Sequence, residues 1–169
     1  DVYKRQALGQ EWKTRGKRQS EQIELLNRLW TERSVNFRGA FDQVEHAGVN
    51  PLPVQRPIPV WFGGGADATL KRAARLGSGW IPLGNPGTKT TLMVEKLNKY
   101  LILEGREKEK FGIEAWIRYG DGNPESWAST AEKWLTLGAN HLTFYTSGQG
   151  AGSLSEQIES MRKFKQILS

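Results

Sequence analysis

Gly63, Gly64 and Gly65 stand in a row where the apolar run "IPVWF" meets the helical pattern "ADATLKRAARLG". A strand that passes into a helix through glycine has a chemical use. The first turn of a helix carries N–H groups without acceptors and about half a positive charge, so it attracts anions. Glycine lets the backbone come close to a phosphate and take φ > 0 without penalty. Gly63, Gly64, Gly65 and Ala66 are therefore the candidate phosphate-binding turn, and Gly64→Val is expected to lose the ligand and keep the fold. The spacing is neither G-x-G-x-x-G nor a P-loop, because no Lys-Ser/Thr pair follows at the required offset. On spacing alone a tight turn without a ligand stays open as an alternative, and so does a non-catalytic phosphate-binding α/β module.

Other reactive residue types are sparse. There is no cysteine, which removes disulfides, thiolate nucleophiles and thiolate metal sites. His46 and His141 lie far apart and form no metal-ligand pairing, so no metal is expected. Tyr145, Thr146 and the segment "SGQGAGS" follow a strand near the carboxyl end and could add a second contact to phosphate or substrate. Trp61 and Trp80 flank the glycine turn and read as packing residues, with Trp80 or Pro82 also able to approach a cofactor. Arg72 and Arg75 read as solvated helix charges. Trp127 and Trp134, seven apart, have core spacing.

These residues need elements to position them. "TRGKRQSEQIELLNRLWT" predicts a helix with Ile23, Leu26, Leu29 and Trp30 on its buried face. "SVNFRGAFDQVEHAGV" reads as a hairpin around Gly39 and Ala40, and the three prolines of "NPLPVQRP" as a surface loop. Residues 58–62 predict a strand buried on both faces. Asp67 is the expected cap of the next helix, which buries Leu70, Ala73 and Ala74 and ends on Gly77 in the left-handed conformation. "GWIPL", "IEAWIRYG" and "NHLTFYT" predict three more strands, separated by helices. One of these starts at Asn123-Pro124 and closes on Gly138. The final helix is expected to turn Leu154, Ile158, Met161, Phe164, Ile167 and Leu168 inward. Four strands alternating with helices define an α/β fold with a parallel sheet. "DVYKRQ", residues 1–6, joins no periodic pattern and reads as a non-native or scar segment.

Charge and length exclude several classes. The 169 residues fit one domain, and 37% hydrophobic content with seven tryptophans fits a globular chain. The net charge of +6 lacks the basic stripe with aromatic partners that nucleic-acid binding wants. The mixed charges of "EGREKEK" read as a solvated helix end. No apolar stretch approaches membrane-spanning length and no signal peptide opens the chain, so no membrane partner and a cytoplasmic location are expected.

"RPIPVWFGGGADATLKRAARLGSGWIPL" resembles the signature of the luciferase-like monooxygenase family of flavin- and deazaflavin-dependent oxidoreductases. The upstream "ALGQEWKTRGKRQSEQIELLNRLWTERSVNFRGAF" and the closing helix, strand and helix resemble that family too. The resemblance implies parallel (β/α) units forming roughly the C-terminal half of a TIM-type (β/α)8 barrel, over residues 7–169. It implies that Gly63, Gly64, Gly65 and Ala66 hold the phosphate of FMN or coenzyme F420. A small organic substrate, and a homo-oligomer or flavin reductase as partner, follow from it as expectations. Residues matching the family's first strands are absent, so no catalytic residue is assigned. A half barrel with an open strand edge is expected to self-associate and to bind flavin weakly.

Overall fold

Proline decides where the parallel sheet begins. Pro57 and Pro59 have no N–H to donate to a ladder, so the apolar run expected as a strand from residue 58 pairs only from Trp61. Ile58 is left 38% exposed, which corrects the expectation of a strand buried on both faces. The computed structural model describes residues 2–148, 150 and 152–168. Contacts divide the chain into two units, Asp1–Val60 and Trp61–Ser169.

The first unit contains α1 (Val2–Ala7), α2 (Arg15–Thr31), β1 (Val35–Arg38) and β2 (Gln43–Ala47). The two strands pair antiparallel, as the hairpin reading expects. The buried face of α2 differs from the expected one: Ile23 and Leu25 are buried, whereas Leu26 is 39% exposed. Glu21 ties α2 to the hairpin turn, accepting backbone hydrogen bonds from Ala40, Phe41 and Asp42 at 2.7–2.8 Å. Gly39 permits this, because a Cβ there would meet the Glu21 carboxyl at 2.2 Å.

Partial burial pushes the Glu21 carboxyl up, but the three N–H donors and Arg18 outweigh it and hold it below its ordinary value. A depressed carboxyl contributes stability that is complete above the unfolded value near 4.3 and disappears as pH falls through the folded one. The amide shifts of Ala40, Phe41 and Asp42 should therefore stay constant down to about pH 4.3 and then move together in an acid titration. Amides that begin to move well above that pH, or that never move, would contradict the tie.

The second unit repeats strand and helix: β3 (Trp61–Gly63), α3 (Asp67–Leu76), β4 (Gly79–Ile81), α4 (Thr88–Leu103), β5 (Gly112–Arg118), α5 (Pro124–Thr136), β6 (His141–Tyr145) and α6 (Leu154–Ile167). A short 3-10 turn, Tyr119–Asp121, separates β5 from α5. The sheet is parallel with order β3-β4-β5-β6, as expected from the alternation. Asn123 accepts the Ser126 N–H at 3.0 Å to cap α5, and Gly138 lies beyond its end with φ +88.

The core lies between the sheet and its helices. Leu70, Ala73 and Ala74 of α3, Val94, Leu97 and Leu101 of α4, and Trp127 and Trp134 of α5 are all buried, as are Phe62, Trp80, Ala115 and Ile117 of the strands. Phe144 stacks on Phe164 at 4.4 Å and meets Trp127 edge-on at 4.8 Å. Further expectations are corrected in this unit. Gly77 is extended, φ −93 and ψ 156, and is required for packing: a Cβ would meet the Ala73 carbonyl at 2.7 Å and the Phe62 ring at 2.9 Å. On α6 only Phe164 of the expected inward residues is buried, while Leu154, Ile158, Met161 and Leu168 are exposed. Arg106, read from its run as solvated, is instead placed over the end of α3, where its guanidinium donates to the carbonyls of Ala74 and Gly77. A cation on the last carbonyls of a helix satisfies them and opposes the dipole.

Candidate functional site

The three glycines form the turn between β3 and α3, at the carboxyl end of the strand, and each does something different. Gly64 has φ +114, a conformation that side chains with a Cβ rarely adopt. Its N–H donates to the Ile81 carbonyl at 3.2 Å, and its carbonyl accepts the Trp80 indole N–H at 2.7 Å. Trp80 is 0% exposed, so a core side chain fixes the turn from below. Gly65 rests against α4, where a Cβ would meet Met93 Sδ at 2.6 Å. Gly63 faces open space, with nothing within 4 Å of a Cβ built on it.

The expected cap role of Asp67 is corrected. Ala66 caps α3 without a side-chain hydrogen bond, and Asp67 is the first helical residue. A carboxylate at this position would oppose an incoming anion if it were unpaired. The Tyr100 hydroxyl at 2.6 Å and the Lys71 ammonium at 3.0 Å hold its carboxyl below the ordinary value, with Lys96 adding a weaker attraction at 3.9 Å. Its charge is matched along the α3–α4 seam. In the first turn of α3 the Thr69 N–H already donates to the Ala66 carbonyl at 2.8 Å, which leaves the Asp67 and Ala68 N–H groups without an acceptor in the helix. A tight φ-positive glycine, an open side at Gly63 and these N–H groups are the features a phosphate requires.

The other face of the sheet has the second concentration of polar groups; of its residues the sequence points to Trp61 and Tyr145 but not to Glu114, Trp116, Arg118 or Thr143. Residues of β5 alternate: Ile113, Ala115 and Ile117 are buried toward the helices, and Glu114, Trp116 and Arg118 occupy the opposite face. The three residues on that face are partly exposed, unlike their buried neighbours in the strand. Glu114 Oε1 accepts from the Thr143 hydroxyl at 2.6 Å and from the Trp116 indole at 3.1 Å. Trp116 stacks on Tyr145 with centroids 6.2 Å apart and planes 21° apart. Trp61 lies across Gly79 and Gly112 on this face and meets His141 edge-on at 4.9 Å. The period-two pattern of "EAWIR" was the available signal for it.

The remaining candidates fall in several places. Trp127 and Trp134 are core residues at 3% and 0% exposure, as their spacing implies. Tyr145 ends β6 and Thr146 is buried, its hydroxyl donating to Gln157 at 3.3 Å. Within "SGQGAGS", Gln149 and Ala151 lie outside the described residues. Arg75 is exposed and Arg72 partly so. Among the described residues no helix is long and apolar enough to cross a membrane.

Parallel βα units in sequential order, with a glycine turn at a strand's carboxyl end, are features that (β/α)-barrel proteins share with open α/β sheets, and the similar solved structures are of the barrel kind. The chain belongs to the luciferase-like monooxygenase family, whose model matches residues 3–165. It is 34% identical over 109 residues to the F420-dependent glucose-6-phosphate dehydrogenase of Amycolatopsis mediterranei, covering 63% of this chain and 32% of that protein. To the FMNH2-dependent dimethylsulfone monooxygenase of Pseudomonas putida it is 28% identical over 130 residues, 75% of this chain and 36% of that one. The matched part thus spans about a third of the length of these relatives. The fold is similar to that of a monooxygenase from Streptomyces bottropensis, with TM-score 0.78 at 17% identity over 98% of this chain and 64% of that chain. It is also similar to the coenzyme F420 dependent tetrahydromethanopterin reductase from Methanopyrus kandleri, with TM-score 0.68 at 13% identity over 83% and 59%.

Proposed function

We propose that Gly63, Gly64, Gly65 and Ala66 hold the phosphate of FMN or coenzyme F420, as part of an oxidoreductase or monooxygenase acting on a small organic substrate. Membership of the family supports the cofactor class, and both kinds of cofactor occur in the names of its relatives. The observation that carries the assignment is the open side of Gly63 at the strand-to-helix turn, beside the Asp67 and Ala68 N–H groups that head α3. The bound group would supply the redox chemistry, and the protein's part is to place it and shield it. Here backbone N–H groups orient the phosphate, Trp80 keeps the turn in shape, and Lys71 and Lys96 offset the charge that Asp67 places at the start of α3. A homo-oligomer, or a flavin reductase for the FMN form, is the partner this reading entails.

Gly63→Ala tests it with little structural disturbance, because its Cβ enters open space and its φ is not positive. Titration of FMN and of coenzyme F420, followed by their distinct absorption spectra, should give at least about tenfold weaker binding of the preferred cofactor. That loss corresponds to about 1.4 kcal/mol. Circular dichroism should be unchanged. Equal affinity of the variant and the parent would sink the assignment.

A further inference from the structure

The sheet face opposite this unit's helices ends in an arginine, Arg118, beside an aromatic pair. Arg118 is the last residue of β5 and pairs in register with Tyr145, the last residue of β6. Among the described residues its ion-pair neighbour is Asp121, at a long 4.0 Å, and a third of its side chain is exposed. A guanidinium so weakly paired keeps its planar donor fork for a carboxylate or similar oxyanion. Next to it along the same face stands a fixed aromatic pair. Glu114 accepts the Trp116 indole N–H and so sets the plane of the ring, and Trp116 in turn stacks on Tyr145. Thr143 holds Glu114 from the other side. The guanidinium and the platform occur at the carboxyl ends of parallel strands, where (β/α) proteins bind ligands.

Register separates this position from the glycine turn. Gly63 pairs with Ile81, and the pairing of Trp80 with Ile113 continues to bring Ile81 beside Glu114. Arg118 lies four residues further along and two strands across, roughly 13 Å by 10 Å, or about 16 Å from Gly63. On backbone positions Gly63 and Arg118 are therefore separate contact points on the sheet.

We propose that Arg118, with Trp116 and Tyr145, binds the substrate of the proposed oxidoreductase, and that this substrate is an organic carboxylate with a flat apolar body. The carboxylate takes the Arg118 fork, and the apolar body lies on the Trp116–Tyr145 platform. The assignment of this anion as substrate rests on the cofactor reading above, but its binding does not. Glu114 acts as a positioning residue, because its carboxylate orients the indole.

The test uses the 169-residue chain and three probes: benzoate, with ring and charge; acetate, with charge alone; and benzyl alcohol, with ring alone. Binding is followed by NMR through the Trp116 indole N–H signal, assigned by its disappearance in Trp116→Phe. Benzoate should bind at least tenfold more tightly than either other probe, and Arg118→Gln should weaken it at least tenfold while leaving benzyl alcohol unchanged. Gly63→Ala should not alter benzoate binding. Equal affinity for benzoate and benzyl alcohol, or for benzoate and acetate, overturns the proposal, as does full retention of benzoate by Arg118→Gln. Cofactor affinity unaffected by Gly63→Ala, with the benzoate results as expected, removes the cofactor reading alone.

Discussion

Trp80→Ala should destabilise the second unit by about 3–5 kcal/mol, the usual range for removing a fully buried large aromatic side chain. Against a typical domain stability of about 5–15 kcal/mol this is close to a loss of folding. The residue unites two functions in one ring. Its body fills the layer between β4 and the helices, and its indole N–H supports the carbonyl of Gly64. Trp80→Phe separates them, since it keeps most of the volume and removes the donor. Urea unfolding of this variant should show a smaller loss, about 1–3 kcal/mol for a buried acceptor left without its partner. Cofactor affinity should fall with it, because the turn loses its support. A Phe variant as unstable as the Ala variant would show that the hydrogen bond, and not the volume, dominates. Undiminished cofactor binding in Trp80→Phe would detach Trp80 from the turn.

Gly112→Ala should be the most damaging small substitution in the sheet. A Cβ at this position would lie 2.0 Å from Cη2 of Trp61, and the same ring also covers Gly79, with 2.3 Å to a Cβ there. Trp61 is thereby held between two strands and cannot yield to one without losing the other, and a swing outward abandons the contact with His141. Overpacking of this kind costs about 1–3 kcal/mol. Gly112→Ala combined with Trp61→Ala should recover part of the loss, which denaturant unfolding of the single and double variants would reveal as coupling. Additive losses would mean that the ring is not what the glycine accommodates.

Local signals were legible in the sequence where one residue settles the matter. Asn123, Pro124 and Gly138 mark the ends of α5 because capping and φ > 0 are properties of single positions. The strand-helix alternation and the glycine turn were legible for the same reason. What failed was set by neighbours distant in the chain. Gly77 was expected to be left-handed as a helix terminator, but the Phe62 ring and the Ala73 carbonyl explain why it is glycine. The apolar face of α6 was correctly amphipathic in period, yet periodicity says nothing of what covers a face, and Leu154, Ile158, Met161 and Leu168 remain exposed. Asp67 looks like a cap by type, and Tyr100, 33 positions away, draws its carboxyl into the α3–α4 seam. Glu114 and Arg118 were passed over because a strand containing Ala115 and Ile117 reads as apolar until its two faces are separated.

That separation has an evolutionary consequence. Along β5 every second residue belongs to the structural core and the ones between belong to the face that meets ligands. The two sets can diverge on independent schedules. Exchanges at Glu114, Trp116, Arg118, Thr143 and Tyr145 can explore new chemistries while Ile113, Ala115, Ile117 and Phe144 stay constant under the helices. A lineage can therefore change what it recognises without first acquiring spare stability, and one scaffold can supply many specificities through a handful of alternate positions.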